Sequence, residues 1–183
     1  MKIAVIDIET TGFLNGGGTI VEVAIIELDL DDGNTKVLFN YVVHEDSITI
    51  DKLKNSWIIA NSDLTIDQVR YSINLKHVMH LINTIVKTYP VTAFNRVFDI
   101  GFLENRGIKF NKLHPCPMLE LTPIMKLPNK NNRSGYKWPN VEEAYKYFFS
   151  DEEYIEKHRA CDDALHECKI IYELHKLKSS ITT

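Results

Sequence analysis

The first apolar run of the chain carries two carboxylates at its end. Residues 4–9 read Ala-Val-Ile-Asp-Ile-Glu, and in a strand alternate side chains point to the same face. Asp7 and Glu9 therefore lie side by side, while Ile6 and Ile8 point to the opposite face. Because neighbouring carboxylates repel each other and disfavour ionisation, a fold that contains this strand needs a compensating positive charge. A divalent cation is the usual partner of such a pair.

Length and composition limit the classes of protein to which the chain can belong. Its 183 residues predict a single domain over residues 1–183, and 44% hydrophobic residues are typical of soluble globular proteins. No apolar run reaches the roughly 20 residues of a membrane-spanning helix, so no membrane contact is expected. Three cysteines without metal-ligand spacing favour a reducing cytoplasm over a disulfide framework. A net charge of −4 disfavours a protein that coats long nucleic acids.

Turn residues divide the first quarter of the chain into three predicted strands. These strands span residues 2–8, 20–30 and 36–43, and the sequence Asp-Asp-Gly-Asn forms a tight turn between the last two. Such short connections predict an antiparallel meander. The glycine-rich turn over residues 12–19 is not followed by the Lys-Ser or Lys-Thr pair of a phosphate-binding loop.

Helical periodicity follows the predicted meander. Apolar spacing predicts one long helix over residues 66–89, which Pro90 ends, and a short strand follows over residues 91–94. Three further helices are predicted over residues 97–105, 140–149 and 159–178. Four prolines make residues 111–136 a predicted loop-rich segment. Strands first, then helices alternating with a strand, predict an α/β fold in which helices pack on a mixed sheet.

A third carboxylate follows the predicted short strand, where the chain enters a helix. Asp99 ends the segment Phe-Asn-Arg-Val-Phe-Asp, and functional side chains gather in the loops at strand ends of α/β folds. By itself, Asp99 is more typical of a carboxylate that caps a helix or favours its positive N-terminus. Its significance depends on the other acidic positions.

The last predicted helix carries two neighbouring carboxylates that helix geometry separates. At about 100° per residue, Asp162 lies on a uniformly polar face, whereas Asp163 lies on the side of Ile170. We therefore expect Asp163 to point inward. His158 would lie roughly 140° from Asp163 on a continuous helix, so a shared site requires His158 in the loop before the helix. Alone, His158 is more typical of a surface or capping histidine.

Taken together, these positions form a stronger signal than any one of them. Four carboxylates offer hard oxygen ligands, which suit Mg²⁺ or Mn²⁺, and the imidazole can accept a proton near neutral pH. Two such ions can hold the attacking and leaving oxygens of a phosphodiester, while a histidine takes the proton of the attacking water. The five residues are Asp7, Glu9, Asp99, His158 and Asp163.

This ordered set resembles the DEDDh family of 3′→5′ exonucleases, within the RNase H-like superfamily. The family includes the proofreading subunit of bacterial DNA polymerase III, RNase T and oligoribonuclease. Its three motifs match residues 7–12, residues 95–99, and the pair His158 and Asp163, so the resemblance covers nearly the whole chain. It implies an RNase H-like α/β fold with a five-stranded mixed sheet, in which parallel strands follow the three-stranded meander.

The resemblance also implies roles for individual residues. The four carboxylates would hold two Mg²⁺ or Mn²⁺ ions, with Asp7 bridging them, and His158 would be the general base. Backbone groups near Thr10 and Thr11 would contact the terminal 3′-hydroxyl. Three further positions would contact the strand: Phe13 and Leu14 as a wedge against the terminal bases, and Asn95 beside the second motif.

The expected substrate is the 3′ end of single-stranded nucleic acid, from which nucleoside 5′-monophosphates are released. DNA is favoured over RNA, and the enzyme would act alone or beside a polymerase in the cytoplasm of a bacterial or phage-infected cell. One alternative is an RNA-directed exonuclease of the oligoribonuclease or RNase T kind. Another is a catalytically silent polymerase-accessory subunit, which the intact set of carboxylates and histidine disfavours.

Two further clusters have competing interpretations. A basic segment with nearby aromatic residues either follows the phosphates of a single strand or is a solvated loop; it comprises Lys126, Lys130, Arg133, Tyr136, Lys137 and Trp138. His77 and His80 lie three residues apart on a predicted helix. Since no third ligand accompanies these histidines, they are predicted to be surface residues.

Overall fold

The computed structural model describes residues 1–129 and 134–182, which include a five-stranded sheet. The strands are β1 (Lys2–Thr10), β2 (Ile20–Asp29), β3 (Thr35–His44), β4 (Ile73–Asn74) and β5 (Val91–Thr92). In space they follow the order β4-β3-β2-β1-β5. The central strand β2 and its neighbours are the long strands, while short strands close both edges.

The pairing of these strands makes the sheet mixed. Strands β1, β2 and β3 pair antiparallel, whereas β5 lies parallel to β1 and β4 lies parallel to β3. In the β1–β2 register Asp7 lies opposite Ala24, and Glu9 lies opposite Glu22. The predicted α/β fold, with a three-stranded meander followed by parallel strands, is thus confirmed.

Eight α-helices surround this sheet within the described residues. They are α1 (Ile50–Lys54), α2 (Trp57–Asn61), α3 (Ile66–Arg70), α4 (Leu75–Thr88), α5 (Arg96–Asn105), α6 (Pro117–Met125), α7 (Val141–Phe148) and α8 (Ala160–Thr182). The helices predicted over residues 97–105, 140–149 and 159–178 correspond to α5, α7 and α8, respectively. Across the part of the chain that the structure describes, no helix is long and apolar enough to cross a membrane.

The prediction of one long helix over residues 66–89 is wrong. Helix α3 ends at Arg70, strand β4 pairs with the end of β3, and α4 begins at Leu75. The side chain of Asn74 accepts a hydrogen bond from the backbone nitrogen of Lys76 at 3.0 Å. This cap starts a new helix, and the short pairing of β4 with β3 separates α4 from α3. Apolar periodicity does not register these contacts, so it predicted one helix where the structure has two.

The prediction of a loop throughout residues 111–136 is also wrong in part. Helix α6 forms within this segment, with Pro117 in its first turn, where the missing backbone N–H has no helical partner to lose. Pro123 lies inside the helix and removes one backbone hydrogen bond. Burial of Met118 and Leu121 in the core offsets that loss.

Alternation along β1 sends neighbouring side chains into two different cores. The core on one face of the sheet contains Ile6 and Ile8 packed with α4 and α5. The other contains Ile3 and Val5 packed with Ala160, Ala164, Cys168 and Ile171 of α8. Because Asp7 and Glu9 continue the second series, they face α8 at the end of the strand. This arrangement brings the first motif towards the third.

Candidate active site

Helix α5 and strand β1 are joined by a contact between the first two motifs. Asp99 lies in the first turn of α5, is only 4% exposed, and its Oδ1 accepts a hydrogen bond from the backbone nitrogen of Ile8 at 3.3 Å. Ile8 is the residue between Asp7 and Glu9. The hydrogen bond therefore fixes Asp99 against the strand that carries the other two carboxylates.

Helix α8 supplies the fourth carboxylate. Asp163 is 7% exposed, and its Oδ2 accepts a hydrogen bond from the backbone nitrogen of Arg159 at 3.1 Å. Its Oδ1 is buried and has no hydrogen-bond partner among the described residues. The neighbouring Asp162 is half-buried and pairs with Lys157 at 2.7 Å. The inward orientation of Asp163 follows the helix periodicity that predicted it.

Three of these side chains form a compact oxygen cluster. Single carboxylate oxygens of Asp7, Glu9 and Asp163 all lie within 4.8 Å of one another. Asp99 lies outside this group of three, although its charge is among those that raise the pKa of Asp7. A cation that these three oxygens share would also satisfy the buried Oδ1 of Asp163, so the cluster fits a hard divalent ion.

Burial raises the pKa of all four carboxylates, and repulsion from nearby negative charges adds to the increase for Asp7, Glu9 and Asp163. Burial raises the pKa of Glu9 to about 9, with further increases from the charges of Asp163 and Glu22. Burial likewise raises the pKa of Asp99 to about 7 and that of Asp163 to about 7. For Asp7, burial and the nearby charge of Glu167 hold the pKa well above its ordinary value. The positively charged groups of the protein thus do not compensate the negative charge of the cluster.

His158 lies in the loop just before α8, as a shared site requires. Its backbone has a φ of 52°, in the left-handed region that non-glycine residues seldom adopt. The imidazole contacts the ring of Trp57 edge-on, with 4.6 Å between the ring centroids. Its Nδ1 lies 3.7 Å from Oε1 of Glu156. The ring is therefore held beside the cluster by α2 and by the loop itself.

An ion-pair network anchors the loop that carries His158. The guanidinium of Arg159 donates to both carboxylate oxygens of Glu22, at 3.0 Å from Nε and 2.8 Å from Nη2, and to Asp63 at 2.7 Å. Glu22 is almost fully buried and also accepts from the backbone nitrogen of Ala160 at 3.2 Å. Since charge-assisted forked hydrogen bonds are directional, this network ties the loop to β2.

Sequence reasoning missed several residues of this region. Glu167 is a further buried carboxylate, and its Oε2 accepts a hydrogen bond from the backbone nitrogen of Phe94 at 3.2 Å. Burial and the charge of Asp99 hold its pKa well above the ordinary value. Glu167 lies one helical turn after Asp163, and residues i and i+4 share a helix face. The sequence could therefore have predicted that Glu167 points inward with Asp163. No local pattern pointed to Trp57, since its contact with His158 spans 101 positions of the chain.

An apolar pocket is lined by residues of the second motif and by residues that follow the first motif in the sequence. It has a volume of about 650 Å³ and brings together the three predicted strand-contacting residues Phe13, Leu14 and Asn95. Phe13 is 78% exposed and meets Phe98 edge-on, with 6.3 Å between ring centroids. The other lining residues are Asn15, Val97, Phe98, Phe102, Met118, Leu119 and Trp138.

The glycine-rich turn that carries Phe13 is closed by hydrogen bonds. Thr19 donates its backbone N–H to Oγ1 of Thr11 at 3.0 Å, and the two threonine hydroxyls lie 3.0 Å apart. Gly18 packs so closely that a Cβ there would lie 2.1 Å from the carbonyl oxygen of Gly12. Thr10 donates from Oγ1 to the same carbonyl oxygen at 3.0 Å. The turn therefore has a defined shape beside the pocket.

The described residues include part of the predicted basic segment and both histidines of the predicted pair. Lys130 and Arg133 of the basic segment lie outside the described residues, while Lys137 pairs with Glu143. Trp138 lies in the apolar pocket. Among residues 1–129 and 134–180, neither His77 nor His80 belongs to a group of side chains that could hold a metal ion.

Comparison with known proteins places this site in a family. Residues 4–171 match the model of the RNase T exonuclease family. Among curated protein sequences, no significant match to the chain was found. The match with the family model covers all three motifs.

Solved structures share the fold at low sequence identity. The nuclease domain of 3′hExo, a DEDDh family member bound to rAMP, is 14% identical with a TM-score of 0.66, covering 96% of this chain and 92% of that one. E. coli exonuclease I in complex with a dA16 oligonucleotide is 12% identical with a TM-score of 0.66, covering 96% and 42%. S. pombe Pop2p, in a form with Mg²⁺ and Mn²⁺ bound, is 14% identical with a TM-score of 0.61, covering 95% and 82%.

The family match and the ordered carboxylates lead to the same assignment. The match spans most of the chain and includes Asp7, Glu9, Asp99, His158 and Asp163. The chain belongs to the RNase T exonuclease family.

Proposed function

We propose that this protein removes nucleoside 5′-monophosphates one at a time from the 3′ end of single-stranded DNA. The observation that carries the proposal is the oxygen cluster of Asp7, Glu9 and Asp163, in a chain that also forms an apolar pocket of about 650 Å³ from residues of the second motif and residues that follow the first. The cluster supplies a place for phosphodiester chemistry, and the pocket supplies a place for unpaired bases. The intact set of carboxylates and histidine disfavours a catalytically silent accessory subunit.

The four carboxylates would hold two divalent ions, Mg²⁺ or Mn²⁺. When bound, the ions supply Lewis-acid stabilisation of the phosphoryl oxygens and lower the pKa of water. Asp7 shares an oxygen group with Glu9 and Asp163, and the charge of Asp99 contributes to its raised pKa, so Asp7 is the carboxylate that we assign to both ions. Metal binding would displace the protons that the raised pKa values of these groups retain.

His158 would act as the general base. A neutral imidazole nitrogen can accept the proton of the attacking water and later release it to solvent. The edge-on contact with Trp57 and the anchoring of Arg159 by Glu22 limit the movement of the ring. Positioning of this kind matters because a base must lie within hydrogen-bonding reach of the proton that it removes.

The apolar pocket would receive the terminal bases of the strand. Phe13 and Leu14 would wedge against the bases, because stacking on apolar side chains tolerates any base sequence. Backbone groups of Thr10 and Thr11 would contact the terminal 3′-hydroxyl, and Asn95 would contact the strand at the pocket edge. A paired end has no unstacked base to place there, which favours single strands over duplex.

The choice of DNA over RNA rests on the chemistry of the pocket lining. Apolar side chains contact bases rather than the 2′-hydroxyl, and recognition of that hydroxyl requires polar partners. The exonuclease I structure contains a deoxyribonucleotide strand, which also agrees with DNA. The competing proposal is an exoribonuclease, which the rAMP complex of 3′hExo favours. For either substrate, the proposed setting is the cytoplasm, with the enzyme alone or beside a polymerase.

A side-by-side rate comparison tests this proposal. Single-stranded DNA, duplex DNA with a frayed 3′ end, and short RNA are each incubated with Mg²⁺, with and without excess chelator. We expect 5′-labelled DNA to give a ladder of shortened strands and 3′-labelled DNA to release mononucleotide from the start. Faster degradation of RNA than of DNA would overturn the substrate assignment, and shortening from the 5′ end would overturn the polarity.

A further inference from the structure

A second group of potential metal ligands lies on the solvent side of the acidic cluster. Single ligand atoms of Glu156, His158 and Asp163 all lie within 4.8 Å of one another. Glu156 is exposed, His158 is half-buried and Asp163 is buried, so the group extends from the protein surface inward to a residue of the cluster. It differs from the group of Asp7, Glu9 and Asp163 in containing an imidazole.

We propose that this second group binds Zn²⁺ and that the bound ion inhibits the nuclease by occupying its general base. The inhibitory part rests on the role proposed above for His158. The binding part rests on the ligand group alone.

The ligand chemistry favours zinc at this position. One imidazole and two carboxylates leave a fourth tetrahedral position for water, an arrangement that suits Zn²⁺ with three protein ligands. Nitrogen ligands raise the preference for Zn²⁺ over Mn²⁺, and Mg²⁺ strongly prefers oxygen. The all-oxygen cluster of Asp7, Glu9 and Asp163 thus suits the ions of catalysis, whereas the group with His158 suits a transition metal.

The two ligand groups share Asp163, and its hydrogen bonding limits what it can offer. Its Oδ2 accepts from the backbone nitrogen of Arg159, while its Oδ1 is buried without a partner among the described residues. Asp163 therefore has one unpartnered oxygen, and both ligand groups include this residue. Because an ion bound by Glu156 and His158 uses the carboxylate that Asp7 and Glu9 also share, zinc and the catalytic ions compete.

The loop geometry keeps the imidazole available to zinc. Trp57 covers one side of the ring, and the network of Arg159, Glu22 and Asp63 fixes the residue that follows. These contacts hold the ring in place before metal binds. Binding therefore costs less side-chain conformational entropy. Coordination uses the nitrogen lone pair, which then cannot accept a proton from water.

Equilibrium dialysis tests the binding site without reference to catalysis. The full chain is dialysed against Zn²⁺ in the presence of excess Mg²⁺, together with Glu156→Ala and the matched control Glu153→Ala, which removes an exposed carboxylate three residues away. We expect the wild-type chain and Glu153→Ala to bind one Zn²⁺ equally. Glu156→Ala should bind it at least about tenfold more weakly. Equal binding by all three, or no zinc bound by the wild-type chain, overturns the proposal.

Rates measured with Mg²⁺ and increasing Zn²⁺ test the inhibitory part. We expect the zinc concentration that halves the rate to rise at least about tenfold in Glu156→Ala but not in Glu153→Ala. Each rate is divided by the rate of the same chain without zinc, which removes any change in basal rate caused by loss of the Glu156 contact with His158. Equal inhibition of all three would show that zinc acts at the cluster of Asp7 and Glu9. If the chain shows no nuclease activity, the proposed function fails, while dialysis still decides the zinc site.

Discussion

The acidic cluster and the apolar pocket are built differently. Asp7, Asp99 and Asp163 project from strand β1 and helices α5 and α8, and the last two are almost completely buried. In the pocket, Phe13 and Trp138 lie on connecting segments and are 78% and 62% exposed. Regular elements fix the groups that must meet within a few ångströms, whereas loops present surfaces that only need to cover a base. We expect the two regions to control different kinetic constants.

Removal of a cluster carboxylate should produce the largest effect. Asp7→Ala and Asp163→Ala each delete an oxygen from the group that would hold the catalytic ions, so we expect kcat to fall at least about 10³-fold. Asp162→Ala is the matched control, because Asp162 neighbours Asp163 but pairs with Lys157 on the outer face. Single-turnover rates with saturating Mg²⁺ provide the measurement. Loss of activity in Asp162→Ala with an active Asp163→Ala would reverse the assignment of the two carboxylates.

Loss of the imidazole should have the next largest effect. For His158→Ala we expect kcat to fall by about 10²–10⁴-fold, since general-base catalysis contributes on that order. Binding of Mn²⁺ to the cluster should persist, because Asp7, Glu9 and Asp163 form their oxygen group without the histidine. Calorimetric titration with Mn²⁺ separates the two possibilities. A variant that loses both metal binding and activity would show that His158 acts as a ligand.

Changes in the pocket should alter KM more than kcat. Trp138→Ala removes an exposed ring from the pocket, and we expect KM for single-stranded DNA to rise about tenfold with kcat within about twofold. Tyr71→Ala is the control, because Tyr71 is also an exposed aromatic residue but is not among the residues that line the pocket. A fall in kcat as large as that of the carboxylate variants would contradict the separation of the two regions.

The smallest effect should appear in the stability of the metal-free protein. Burial raises the pKa of Asp99 and Asp163 to about 7, so the folded chain retains protons that the unfolded chain has released. Stability should therefore fall as pH rises from about 4 to about 7, where the unfolded chain binds fewer protons. Thermal melting in chelator measures this slope, and Asp99→Asn should reduce it. A melting temperature that rises across this window in chelator would contradict the uncompensated charge of the cluster.

Local patterns predicted most of the elements that carry the site. Strand alternation placed Asp7 and Glu9 on one face, and helix periodicity distinguished Asp163 from Asp162, because each depends on a fixed repeat of the backbone. The same periodicity failed over residues 66–89, where the cap of Asn74 divides two helices. The prediction also failed for α6, where the prolines indicated a loop. Burial of the apolar side chains stabilises a helix there in spite of the prolines.

Contacts between distant segments could not be predicted in this way. The pairing of Arg159 with Glu22 and Asp63 joins residues that are 137 and 96 positions apart. The contact of Trp57 with His158 likewise joins distant segments. A single sequence contains no period or spacing that specifies such a pair. The chain itself determined which chemical groups are available and which faces of their elements they occupy, since backbone geometry repeats locally. Only the packing of α2 and α8 on the sheet decided which of those groups meet, because burial and charge pairing depend on the whole fold.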